Sequence, residues 1–164
     1  MIGLIYQQAS KTHIWLGKGE RDAEVFALFE RLALQQPQSA NSIGALSKDI
    51  DGLLRRPYFQ RWWILQEVAL SRSRPLHSGR LKMQWHVLED AINAISDHYR
   101  TVDIEPSLSM VRSLIELPKV AGSGDTDGLR GSSLLNLLFR FGSSQCSKGQ
   151  DHVLALLGLA NDCH

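Results

Sequence analysis

Apolar positions along this chain recur in two periods, and the period decides the element. Met1, Ile2, Ile5, Tyr6 and Ala9 stand at helical spacing. The chain thus opens inside a helix with no capping residue before it, an opening that predicts further sequence upstream. Thr12-His13-Ile14-Trp15-Leu16 is short, apolar and partly β-branched, and Gly17 ends it, which predicts a strand. That strand reads as too apolar for an exposed edge and so as belonging inside a sheet. Asp22 is placed to cap a helix whose inner face is Val25, Phe26, Phe29, Leu32 and Ala33.

The segments 35–50 and 119–131 are polar and rich in turn-forming residues, and both read as loops. Pro57 favours a helix start, and Phe59–Leu70 then follows as one largely buried helix. Leu76-His77 and Leu81-Lys82-Met83 flank Ser78-Gly79-Arg80 as a small hairpin. Trp85, Leu88, Ile92, Ile95 and Tyr99 repeat at three- and four-residue steps, an amphipathic helix. Pro106 opens another, with Leu108, Val111, Leu114 and Ile115 inward. Ser132 or Ser133 and then Asp151 are placed to cap two last helices. The sum is a helix-rich α/β fold with few strands.

At 164 residues the chain has the length of one domain. Its net charge of +1 argues against a dedicated nucleic-acid binder, which would be clearly basic. No apolar run approaches the ~20 residues of a membrane span, and residues 1–16 lack the features of a signal peptide. Cys146 and Cys163 form neither a CxxC pair nor a disulfide framework. A reducing, cytoplasmic setting is the expectation.

From Trp62 to Leu70 every residue is apolar except Gln66 and Glu67. A carboxylate in such a run is costly unless something hydrogen-bonds or neutralises it. Glu67 is therefore either a satisfied structural carboxylate, paired for instance with Arg61, or the working group of a site. Trp63 and Trp62 have faces that suit ring stacking, with core packing the better reading of Trp63. Arg61 suits phosphate contact or pairing with Glu67. Gln66 points about 100° away from Glu67 on a helix and does not share its task. Asp151 reads as a cap, and Cys146 has no activating neighbour. There is no G-x-S-x-G, no P-loop, no EF-hand and no zinc-ligand spacing among the six histidines, so no metal is expected. Arg55, Arg56, Arg61, Arg72, Arg74 and Arg80 read as a solvated basic face.

Three ordered segments resemble the fungal heterokaryon-incompatibility (HET) domain. Met1-xx-Leu4-Ile5-Tyr6-xx-Ala9 with Ile14-Trp15-Leu16-Gly17 is similar to that family's helix-then-strand pattern. Arg56-Pro57-Tyr58-Phe59-x-Arg61-x-Trp63-xx-Gln66-Glu67 is similar to its "RPWF.R.W..QE", with Gly79 and Trp85 following where the family places a Gly and a Trp. Cys146, Asp151, Val153 and Ala155-Leu156-Leu157-Gly158-Leu159 are similar to its closing "C.D.RD.VYALLGL". Tyr58, Gln150 and Leu154 depart from the usual Trp, Arg and Tyr. The family's opening "LSY.WG" strand and "WID..CINQ" segment are absent, so residues 1–164 resemble a HET domain lacking its N-terminal part.

The resemblance implies a role in nonself recognition and programmed cell death in filamentous fungi. It implies partners among other incompatibility or NOD-like receptor proteins, with self-association. A more distant likeness to TIR domains rests on Trp63-xxx-Glu67. It implies an incomplete flavodoxin-like parallel sheet flanked by helices and NAD as a substrate. Glu67 would be the catalytic carboxylate, and Gly17, Arg61 and Trp63 would be nucleotide-binding. The alternative is a signalling module that acts by self-association without catalysis.

Overall fold

A computed structural model describes residues 2–61, 63–98, 105–117, 133–135, 156 and 159. In chain order the elements are α1 (Ile2–Gln8), β1 (Ile14–Trp15), α2 (Asp22–Ala33), α3 (Ala40–Ala45), α4 (Ser47–Leu54), α5 (Pro57–Gln60), α6 (Ile64–Leu70), β2 (Pro75–Ser78), β3 (Leu81–Gln84), α7 (Trp85–His98) and α8 (Glu105–Ile115). The fold is α/β and helix-rich. The elements sort into two compact units that interleave along the chain. A helical unit draws on residues 1–12, 60–73 and 116–164, and a sheet unit on residues 13–59 and 74–115.

The sheet unit is built on a mixed three-stranded sheet of order β1-β2-β3. β1 and β2 run parallel, with Ile14 opposite Leu76 and Trp15 opposite His77. β2 and β3 form the expected hairpin, closed by a two-residue turn at Gly79-Arg80. Gly79 has a φ of +57°, a conformation open to glycine at little cost. Helices α2 and α7 pack on each other and on β3, and α8 packs on α4 and α7. Phe29, Ile50, Leu53, Phe59, Trp85 and Ile92 lie at the centre of this core and are essentially inaccessible. Of the expected α7 stripe, Trp85, Leu88, Ile92 and Ile95 are buried, and Tyr99 lies outside the described residues.

The strand expected inside the sheet is instead its edge among the described residues. Ile14 and Leu16 face inward, while Trp15 between them is 62% exposed. One-sided burial needs only alternate positions to be apolar, so the run of apolar residues overstated how deep the strand lies.

Helices α3 and α4 span residues 40–54, of which 40–50 were expected as loop. Ser39 caps α3 by accepting a hydrogen bond from the Ser42 N–H at 3.1 Å. Ile43, Leu46, Ile50, Leu53 and Leu54 are buried at helical spacing. The intervening Ser, Asn and Gly residues had masked that stripe.

In the helical unit, α1 packs on α6. All seven residues of α6 are buried. The single helix expected over Phe59–Leu70 is broken: α5 ends at Gln60 and α6 begins at Ile64. On α1, Ile5 was expected inward but is 65% exposed, and Leu4 is 46% exposed. The expected loop at 119–131 and nearly all of the last two expected helices lie outside the described residues.

Candidate functional site

Helix α6 carries Glu67 into an apolar setting because Ile64, Leu65, Val68, Ala69 and Leu70 surround it in sequence and are buried with it. Glu67 itself is 8% exposed. The Tyr6 hydroxyl, delivered by α1, donates to Glu67 Oε1 at 3.1 Å. This answers the first half of the sequence question: the carboxylate is hydrogen-bonded, with a tyrosine among its partners. Burial, and then the charge and hydrogen bond of Glu67, push the Tyr6 phenol up to about 12, with the Arg61 cation opposing. Tyr6 therefore remains a protonated donor at neutral pH.

Trp63 stands at the N-terminal end of α6, with its carbonyl accepting from the Glu67 N–H at 3.3 Å. Residues four apart share a helix face, so Trp63 and Glu67 lie on the same side. Trp63 is half-buried and Arg61 is exposed. At the far end of α6 the hydroxyls of Thr12 and Ser71 lie 2.6 Å apart, and the Thr12 N–H donates to the Ser73 carbonyl. The structure thus gathers Arg61, Trp63 and Glu67 in one unit, with Tyr6 added. Gly17 belongs to the other unit.

Gly17 closes β1 in that sheet unit with a φ of +88°. Its carbonyl accepts from the Gly79 N–H at 2.8 Å and from the Ser78 hydroxyl at 3.1 Å. Both parallel strands end here, the edge at which α/β folds bind ligands. A buried polar cluster occupies it. Arg56 Nη2 donates to both carboxylate oxygens of Asp22, each at 2.7 Å. The Gly19 N–H donates to Asp22 at 2.8 Å, and the Ser78 hydroxyl donates to Asp22 as well. Burial pushes the Asp22 carboxyl up, but hydrogen bonds from Arg56, Ser78 and Gly19, with the Arg56 charge, carry it below the ordinary value.

Asp22 was expected to cap α2. It is instead the first residue of the helix, makes no capping bond there, and serves as the acceptor of this cluster. The solvated basic face is also corrected at two positions. Arg56 is only 13% exposed along its side chain. The Arg74 guanidinium lies 5.7 Å from the centre of the buried Trp85 ring. Arg55, Arg61, Arg72 and Arg80 are exposed as expected.

Sequence reasoning missed Tyr6 as a donor to Glu67 and the Asp22–Arg56–Ser78 cluster. A tyrosine at a helical apolar position reads as core, and Asp22 and Arg56 are 34 residues apart with no local signal joining them. A groove of about 630 Å³ lies in the sheet unit between the end of α2 and α7, lined in part by Gln35, Pro37, Asp90 and Asn93. None of the expected site residues lines it. Among the described residues no three His, Cys, Asp or Glu side chains gather as a metal centre. No described helix is long and apolar enough to cross a membrane.

These units define a helix-rich α/β protein whose buried carboxylate is held by a tyrosine. Residues 1–67 match the family model described as Heterokaryon incompatibility protein (HET). The matched span contains Tyr6, Gly17, Arg61, Trp63 and Glu67. Gly79, Trp85 and the motif near the end of the chain lie beyond it. No curated protein and no solved structure matches the chain.

Proposed function

We propose that this protein is an effector of fungal heterokaryon incompatibility, acting in nonself recognition that ends in programmed cell death, and that Glu67 serves it as the carboxylate of a TIR-like NAD-cleaving centre. The observation that carries this reading is the Tyr6 hydroxyl donating to Glu67 Oε1 in a unit that also holds Arg61 and Trp63. The phenol donor holds the carboxylate in one orientation on α6. In an apolar setting a fixed negative charge stabilises a developing cation strongly.

The reaction assigned to that charge is cleavage of the bond between the ribose C1′ and nicotinamide. Nicotinamide leaves with the bonding electrons, and the ribosyl cation forms beside Glu67. Water then adds to C1′ and gives up a proton to the carboxylate. Arg61 supplies a cation for the pyrophosphate, and Trp63 supplies a ring face one turn before Glu67.

A second reading is favoured by two observations. Glu67 is enclosed and already bonded, which suits a structural carboxylate. Helix α1 also presents Leu4 and Ile5 to solvent, an apolar pair fit for docking to a partner or a second copy. The module would then signal by association alone.

One experiment separates the two. Nicotinamide release from NAD and killing on expression in fungal cells are compared for the parent chain, Glu67→Gln and Ile5→Glu. Release and killing that both vanish in Glu67→Gln, with its circular dichroism unchanged, support cleavage. Killing that survives Glu67→Gln and disappears in Ile5→Glu overturns cleavage in favour of association.

A further inference from the structure

His13 and His77 meet on the exposed face of the sheet although 64 residues separate them. His77 sits on β2 directly opposite Trp15 of β1, and His13 precedes Trp15 by two residues. Alternation along a strand puts His13, Trp15 and His77 on one face. His13 Nδ1 lies 2.8 Å from His77 Nε2. The two ring planes are within 25° of each other with centroids 5.0 Å apart, and the Trp15 ring stacks on His77 at 6.1 Å.

The backbone beneath is fixed. The Leu16 N–H donates to the His77 carbonyl at 2.8 Å, so β1 cannot slide past β2 without breaking that bond. Two imidazoles are thus presented side by side from paired strands, with nitrogens facing. We propose that His13 and His77 chelate a divalent transition-metal ion of the class that prefers imidazole, Cu²⁺ first and Zn²⁺ after it.

Metal–imidazole bonds run about 2.0–2.1 Å, so two nitrogens meeting at a right angle on one ion stand roughly 2.9 Å apart. The N–N span already matches that value, but the rings meet nearly end to end, so each exposed side chain must turn to aim its nitrogen at the shared ion in place of its neighbour. Imidazole suits both ions, and Cu²⁺ heads the affinity order. Two protein ligands leave the remaining positions to water, which makes this an open site rather than a structural zinc centre. Lys82 on β3 is the direct neighbour of His77 and its positive charge opposes the ion. The expected affinity is therefore modest, and Lys82→Gln should raise it.

The test is calorimetric titration of CuCl₂, and separately ZnCl₂, into the full chain, with tryptophan fluorescence followed in parallel. The expected result is one binding event that weakens roughly tenfold or more in His13→Gln and equally in His77→Gln. Both positions lie on an exposed face, and unchanged circular dichroism verifies the fold. Copper should quench fluorescence in the parent and less so in Trp15→Phe, which keeps the calorimetric event. No binding event in the parent, or an event that either histidine variant leaves unchanged, overturns the proposal.

Discussion

Nη2 of Arg56 stands 2.7 Å from each carboxylate oxygen of Asp22, and both side chains are withdrawn from solvent, at 13% and 7% exposure. This pair ties the segment before α5 to the first residue of α2. Ser78 bonds to the same carboxylate, so the end of β2 is tied in as well. Removing one member leaves the other charge buried and unpaired, which costs more than the pair contributes.

Asp22→Ala should therefore destabilise the chain by about 3–5 kcal/mol. Asp22→Ala combined with Arg56→Met should lose less than the two single changes together, with a coupling of about 1–3 kcal/mol. Urea unfolding of the four proteins measures this. The same pair predicts an acid transition. Asp22 titrates lower in the fold than in the unfolded chain, so its contribution is complete above about pH 4. It is lost as pH falls below that value, because the unfolded state then takes up the proton first. Asp22→Asn should flatten the fall in stability below about pH 4, read as melting temperature against pH.

Gly19 should resist substitution for a reason unrelated to its backbone angles. A Cβ there would stand 2.6 Å from Arg56 Nη2 and 2.6 Å from Asp22 Oδ1. Both atoms belong to the buried pair, so a retreat of either disturbs the Arg56–Asp22 bonds. Gly19→Ala is expected to cost about 1–3 kcal/mol. Gly52, where nothing stands within 4 Å of the new carbon, should accept alanine without loss and serves as the control.

Tyr6 predicts the opposite pH dependence. Its phenol titrates at about 12 in the fold against 10.0 otherwise. A raised value means that its contribution is complete below pH 10 and is lost as pH rises from 10 towards 12. Tyr6→Phe should remove that alkaline decline, and spectrophotometric titration should lose a phase ionising near pH 12 in the same variant. Coincident ionisation of all three tyrosines would contradict the Tyr6–Glu67 bond.

Ser39→Ala tests the helix that was expected as loop. The Ser39 hydroxyl bonds to the Ser42 N–H at 3.1 Å and to the Ser42 hydroxyl at 2.7 Å. Loss of the cap should cost about 1 kcal/mol, and Ser39→Asp should restore it. Thermal unfolding of both variants measures the difference.

Local signals were readable wherever one residue type forces one geometry. Pro57 does open α5, and the glycine between two short apolar runs does turn the hairpin at Gly79. The step pattern of α7 was plain because its polar positions are strongly polar. In α3 and α4 the exposed residues include Asn41, Ser42, Gly44 and Gly52, types that also make turns, so composition hid a correct apolar stripe. The break between Gln60 and Ile64 was invisible because the residues from Trp62 to Leu70 are apolar except Gln66 and Glu67, and so apolar a run carries little period. For the site, burial of a carboxylate was legible at Glu67, since its neighbours announce it. Its partner was not, because Tyr6 lies 61 residues upstream and no local pattern links two such positions. The His13–His77 pair escaped motif reading for the same reason.

The interleaving of the two units also has a consequence in time. Residues 13–59, which separate Tyr6 from Glu67, belong to the sheet unit. At synthesis rates of about 5–20 residues per second, Glu67 is made roughly 3–12 s after Tyr6. Throughout that interval the phenol is without its Glu67 acceptor. The carboxylate's surroundings are thus assembled late, after the whole first stretch of the sheet unit has been translated. A ribosome that stalls anywhere within residues 13–66 releases a polypeptide with the tyrosine and without the acid.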